Sequence, residues 1–265
     1  MTTQLILIGA DPECFVQQGL TISHCIGLLG GDKDNPRRVE FGAVQEDNVL
    51  FEFNVDPCAS SDELVHHVHA VMDQGAEILN SYGLRFKPRT SSHVYPSLEG
   101  FPERAFEFGC TPDYNALTNG ENPRPSATEQ NLRTAGGHVH IGFNCDVTPQ
   151  LQREVIIACD YLLGLPSLLE DKDTRRRELY GKAGACRYKP YGVEYRTLSN
   201  YWIWDDELIS AVHGRAVAAF ELARNTTQFN NLKALITPEE VQAVINTGDV
   251  AKAKAYLEII SHATK

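Results

Sequence analysis

Residues 136–143 read Gly-Gly-His-Val-His-Ile-Gly-Phe. Extended backbone sends successive side chains to opposite faces. His138, His140 and Gly142 therefore share one face, and Val139, Ile141 and Phe143 share the other. Two imidazoles beside bare glycine backbone suit the floor of a chemical site. Taken alone, the stretch reads equally well as a half-buried strand with two surface histidines.

The arrangement recurs. Val49, Phe51, Phe53 and Val55 form an apolar face, and Glu52 and Asn54 lie opposite it. In residues 104–109, Phe106 and Phe108 oppose Glu107. In residues 192–197, Glu194 and Arg196 oppose Val193 and Tyr195. A short apolar strand over 5–8 leads into Asp11 and Glu13, which fall on one side if the extended backbone continues. Antiparallel sheets commonly keep one face packed and one open. A solvated open face usually carries Lys, Thr, Ser and Gln; here it carries Glu, Asn, His and Arg. Adjacent carboxylates repel unless a cation or a proton lies between them. Carboxylates with few imidazoles suit Mg2+ or Mn2+ rather than zinc. Glu194 beside Arg196 suggests metal-bound phosphate, with the acid on the cation and the guanidinium on phosphate oxygens. Phosphoryl transfer needs both to neutralise charge in the transition state. A basic segment over 175–190, with Lys182 and Arg187, is a candidate for nucleotide phosphates. No Walker, kinase or dinucleotide fingerprint is present.

Helices must back these strands. Ser60 with Glu63 forms a capping box before Leu64, Val68, Val71 and Leu79. His66, His67 and His69 in that helix lack the i, i+4 spacing of a metal pair, which makes them structural or surface residues. Thr148-Pro149 starts a helix to about residue 163. Further helices are predicted over 205–225, from Thr237 with Glu240 closing a second box, and over 249–262. The apolar run 155–169 is broken by Asp160, Gly164 and Pro166, which marks a core helix rather than a membrane span. Residues 27–38, rich in glycine, read as a plain surface loop despite Lys33. The connection from Cys110 to Arg133 is long enough to be functional.

The 265 residues are 42% hydrophobic and 22% charged, which suits one large domain or two closely joined ones. A formal net charge of −11 argues against general binding of nucleic acid or anionic membranes. Seven scattered cysteines without a C-x-x-C pair predict reduced thiols and a cytoplasmic setting. The N-terminus lacks the basic region of a signal peptide.

Taken in order, Asp11-Pro12-Glu13, Phe-Glu-Phe-Asn-x-x-Pro at 51–57, Gly-Gly-His-Val-His-Ile-Gly at 136–142 and Tyr-Gly-Val-Glu-Tyr-Arg-Thr-Leu-Ser-Asn at 191–200 resemble a family. It is the carboxylate–amine ligases of the glutamine synthetase and glutamate–cysteine ligase superfamily, and most of all the phage-encoded COOH–NH2 ligases, or amidoligases. The resemblance spans about residues 5–205. It implies an α+β fold: a curved antiparallel sheet with helices on its outer face and a glutamine synthetase-like catalytic site. That gives an expected catalytic domain over 1–205 and a helical extension over 206–265 packed on the same domain. It also implies ATP as co-substrate and two or more Mg2+ (or Mn2+). Asp11, Glu13, Glu52, His138 and Glu194 map to metal ligands, with the short Asp11 expected to act through water. His140 maps near the ATP phosphates, Arg187 faces the nucleotide or substrate, and Arg196 holds the transferring phosphoryl group. Asn54, Glu107 and Asp113 are candidates for binding the acid or the amine. The expected partners are small-molecule or peptide acids and amines, with no nucleic acid and no membrane; such enzymes often assemble into oligomers, and a phage-encoded one would work in the host cytoplasm. The alternatives are a metal-dependent oxygenase or isomerase of the cupin type, which also uses His-x-His on a strand, and a non-catalytic relative of the fold.

Overall fold

The computed structural model describes residues 5–106, 113–122 and 131–263. The fold is α+β. Its main sheet has nine strands: β1 Leu7–Cys14, β2 Arg37–Val39, β3 Gly42–Asp47, β4 Leu50–Cys58, β5 Tyr114–Asn115, β6 Gly120–Glu121, β7 Gly137–Gly142, β8 Ala185–Lys189 and β9 Gly192–Tyr195. Their spatial order is β6-β5-β8-β9-β7-β1-β4-β3-β2, and every pairing is antiparallel. Strands distant in sequence thus meet at the centre, where β1 lies between β7 and β4.

Period-2 alternation explains which face is packed. Ile8, Ala10, Val139, Ile141, Val193 and Tyr195 are buried in the main core. Helices cover this face: α1 (Ser61–Asn80) packs on β3 and β4, α2 (Pro149–Cys159) on β8 and β9, and α5 (Asp206–Arg224) on α1, α2 and β7. Short helices α3 (Leu165–Glu170) and α4 (Arg176–Leu179) precede α5. Helices α6 (Thr226–Leu235), α7 (Pro238–Thr247) and α8 (Val250–Ala263) complete the tail. Both predicted capping boxes form, at Ser60 with Glu63 and at Thr237 with Glu240. Among the described residues, no helix is long and apolar enough to cross a membrane, and none of the six described cysteines is bridged.

Several expectations need correction. The strand expected over 104–109 begins instead as a 3-10 turn, Glu103–Phe106; residues 107–109, and with them Glu107, lie outside the described residues. The helix from Pro149 does not run straight to 163. It passes through a π-helical turn, Asp160–Gly164, before α3. That turn aims the buried Asp160 at Gly184 N, Tyr195 OH and Gln242 Nε2, which donate to it at 2.9, 2.8 and 3.2 Å. Residues 27–38 are not a plain surface loop: they end in edge strand β2 and carry Lys33 into the main cavity. A cupin is a double-sheet jelly roll. Among the described residues the one large sheet, open at β6 and β2, is backed by helices and forms no double-sheet jelly roll.

Candidate active site

Register assembles the site on the face of the sheet away from the helices. Asp11 on β1 stands opposite His138 on β7, and Glu13 stands opposite Glu52 on β4. One step along, His140 faces Glu194 on β9, and Glu194 faces Arg187 on β8. Directly opposed residues on one face bring their side chains into contact. A row of chemical side chains therefore crosses β4, β1, β7, β9 and β8. The extended backbone that carries Asp11 and Glu13 to one side does continue, through Pro12 to Cys14.

Asp11, Glu13, Glu52, His138, Arg187 and Arg196 line a cavity of about 460 Å³. Glu194 lies beside it, with no exposed surface. The Asp11 Oδ1 atom is 3.2 Å from His138 Nδ1 and 3.2 Å from His140 Nε2. His138 Nδ1 is 3.9 Å from Glu194 Oε1. Ligand atoms of Asp11, His138 and Glu194 lie within 4.8 Å of one another, close enough for one cation. Arg196 donates to Glu194 Oε1, Arg187 lies 3.4 Å from the same oxygen, and Lys189 Nζ lies 2.8 Å from Oε2. Gly136 N donates to Glu13 Oε2 at 2.7 Å, which fixes that carboxylate against the start of β7.

The charges are set against one another. Burial and the Asp11 charge press upward on Glu194, but Arg196 and the two imidazoles outweigh them and hold its pKa at about 2. Burial also presses upward on Asp11, and the two imidazoles again win, holding it well below the carboxylate range. Burial and then the Arg196 charge depress His138 to about 4, so its ring is neutral. For His140, burial opposes the charge and Asp11 more than restores it, raising the pKa. Glu13 is driven to about 7 by burial and Asp47. Glu52 is pushed well above its ordinary value by burial and then by Asp11, Asp47 and Glu13. Glu52 Oε2 is buried and accepts no hydrogen bond. An orphaned carboxylate oxygen among mutually repelling acids is the environment that a divalent cation relieves. The donor set therefore fits Mg2+ or Mn2+: oxygen-rich, with one neutral imidazole.

Other predicted residues are placed as follows. His140 lies outside the cavity wall, with Nδ1 2.6 Å from Tyr191 OH. Asp113 approaches the site through Arg196, its Oδ2 3.6 Å from Nε. Asn54 turns to Gln45, donating at 3.1 Å, and does not line the cavity. Lys182 does not line it either; its carbonyl accepts from Thr197 Oγ1. The basic run divides: Arg177 is buried against Asp171 and Ser167, while Arg176 is buried on the cavity wall. Arg176 and Lys189 fall within the basic segment predicted over 175–190, and the structure brings Arg176 to the cavity wall and Lys189 to Glu194. Lys33, which pairs with Asp47 at 2.8 Å, belongs to the segment expected to be a plain surface loop and instead lines the cavity.

A family model described as phage phiEco32-like COOH.NH2 ligase-type 2 matches residues 127–263, just over half of the chain. The matched stretch holds β7, the β8–β9 hairpin and the entire helical tail. No curated protein matches the sequence.

Proposed function

The chain belongs to the phage phiEco32-like COOH–NH2 ligase family, and from that premise we propose an ATP-dependent carboxylate–amine ligase that works through an acyl phosphate. One observation carries the reading: the sheet register gathers Asp11, Glu13, Glu52, His138 and Glu194 with Arg187 and Arg196 around one cavity. Acids that repel one another and arginines that face phosphate are the two halves of a phosphoryl-transfer site. The open sheet with helices on one face serves as a glutamine synthetase-like catalytic fold. Residues 1–205 form its catalytic part, and 206–265 form an extension packed on the same domain.

In this reading Asp11, Glu13, Glu52, His138 and Glu194 hold Mg2+, which when bound supplies neutralisation of the nucleotide phosphates. Arg196 and Arg187 hold phosphoryl oxygens. Arg196 has a buried Nε–H without a hydrogen-bond acceptor, a donor available for that task. A substrate carboxylate oxygen attacks the γ-phosphorus, and the bond to the bridging oxygen breaks to release ADP. The amine nitrogen then attacks the acyl carbon, loses a proton, and phosphate departs with the C–O bonding pair. Leu132, Leu179 and Tyr180 on the cavity wall are the groups that would limit water at the acyl phosphate. Asp113, whose Oδ2 is 3.6 Å from Arg196 Nε, meets the acid or the amine in this reading.

The test is ADP formation with Mg2+ over a matrix of acids and amines, with mass spectrometry of the product. Glu194→Ala and Arg196→Ala should each abolish ADP formation while the circular dichroism spectrum is retained. Undiminished turnover in both variants would remove the site assignment. Absence of any nucleotide-dependent thermal shift in the presence of Mg2+ would remove ATP from the reading.

A further inference from the structure

Arg176 takes no part in the chemistry above, yet it is 4% exposed and lines the cavity. A buried arginine is ordinarily paired with an acid. Other arginines on the same wall are: Arg187 and Arg196 reach Glu194, and Arg104 NH1 lies 3.6 Å from Glu46 Oε2. Among the described residues no carboxylate lies within 4.0 Å of Arg176, and its guanidinium meets only neutral groups. NH1 donates to Thr197 O at 3.1 Å, NH2 donates to Arg196 O at 3.4 Å, and NH2 lies 3.4 Å from the neutral ring of His138. Its Nε–H is buried and meets no acceptor. The acids whose charges act on it most are engaged elsewhere. Glu13 Oε2 accepts from Gly136 N at 2.7 Å, and Asp171 Oδ2 accepts from Ser199 Oγ at 2.8 Å. Burial pushes the Arg176 pKa down to about 10, and those two acids only partly offset it while Arg196 and Arg177 add to it. The group therefore remains a cation at neutral pH, without a counter-charge.

The backbone is shaped to hold this charge in place. A methyl on Gly136 would lie 3.1 Å from Arg176 NH2, and one on Gly181, at φ +68°, would lie 2.3 Å from NH1 and 2.8 Å from Thr197 O. Glycine at both positions lets the guanidinium pack against the chain, anchored by two carbonyls. We propose that Arg176 is an anion subsite, which takes a carboxylate or phosphate group of a ligand on the cavity wall beside the start of β7. A guanidinium suits either group, because its planar N–H fork matches paired oxygens. The cost of desolvating it is incurred on folding, so an arriving anion gains charge-assisted bonds to a cation that is already positioned. Carboxylate–amine ligation offers two sources of such an anion. One is the phosphoryl group passed from the nucleotide to the acid. The other is a carboxylate of the acid substrate that does not react. That place in a reaction rests on the ligase reading above; the anion site itself does not.

The experiment is calorimetric titration of the full chain, in Mg2+ at neutral pH, with two probes: inorganic phosphate and succinate. Arg176→Met should weaken at least one of them by roughly 10-fold or more, the usual scale for a charge-assisted bond. Arg176→Lys, which keeps the charge, should recover part of the loss. A loss for phosphate alone assigns the subsite to the phosphoryl group, and a loss for succinate alone assigns it to the acid substrate. Equal affinities in wild type and Arg176→Met for both probes, or no binding of either to the wild type, would overturn the proposal. If Arg176→Met does not fold, wild-type crystals soaked separately in phosphate and in succinate decide. Density for either ion within hydrogen-bond distance of the guanidinium supports the subsite, and its absence there with both ions overturns it. The two readings separate cleanly. Probe binding that depends on Arg176, in a wild type that forms no ADP with any acid and amine, would keep the subsite and remove the ligase; ADP formation without that dependence would do the reverse.

Discussion

A methyl group at position 136 would sit 2.4 Å from His138 Nε2 and would also crowd Arg176. Neither neighbour has room to retreat, because both are buried against β7 and residues 196–197. Gly136→Ala should therefore displace the imidazole and weaken Mn2+ binding by roughly 10- to 100-fold, the usual effect of disturbing a ligand's support; calorimetric titration measures it. Gly142→Ala, facing only Leu7, should bind Mn2+ as the wild type does. A second residue-scale prediction concerns Asp160. Burial raises its pKa from 3.8 to about 6, against three hydrogen bonds that lower it. The folded state thus holds the proton more tightly than the unfolded chain. Its stabilising effect is complete below about pH 4 and is lost as pH rises through 6. The difference is worth roughly 3 kcal/mol. Between pH 4 and pH 7 the stability of Asp160→Asn relative to wild type, from urea unfolding, should move by about that amount in the variant's favour.

Elements matter here chiefly through register. A slip of one residue between β1 and β7 would send Asp11 into the core and bring Ala10 onto the site face. The apolar alternation of Ile8, Ala10, Val139 and Ile141 against α2 and α5 prevents that slip. Residues that do no chemistry therefore aim those that do. Helix caps contribute separately. Ser60 accepts from Glu63 N, and Thr237 accepts from Glu240 N, at helix ends remote from the cavity. Ser60→Ala and Thr237→Ala should each cost about 1 kcal/mol of unfolding free energy with no change in nucleotide-dependent ADP formation. A loss of activity larger than the loss of stability would mean that these helices also tune the site.

For the whole molecule, the tail is part of the core. Val212, Ala216 and Phe220 of α5 are buried in the same cluster as Val139 and Ile141, and Gln242 of α7 reaches Asp160. A chain ended after Asp205 would expose the face of α2 and the underside of β7. Such a truncation should lose cooperative thermal unfolding and aggregate. A soluble, two-state 1–205 fragment would instead make the tail a separable extension.

The alternation of chemical and apolar residues was legible because it is local: a period of two needs only a strand, and the strands around Asp11, Glu52, His138 and Glu194 all declared it. The caps at Ser60, Thr148 and Thr237 were legible for the same reason. The family was legible too, since the strands of His138 and Glu194 lie within the residues its model matches. Sequence order carried no information on adjacency. That β1 lies between β7 and β4, so that Asp11 meets His138 while Glu13 meets Glu52, follows from which apolar faces pack best on α1, α2 and α5. Tertiary structure alone brought Lys33 and Arg176 to the cavity wall, removed Asn54 and Lys182 from it, and turned His140 toward Tyr191. Each of those placements depends on contacts between segments far apart in the chain, and no periodicity within a segment encodes them.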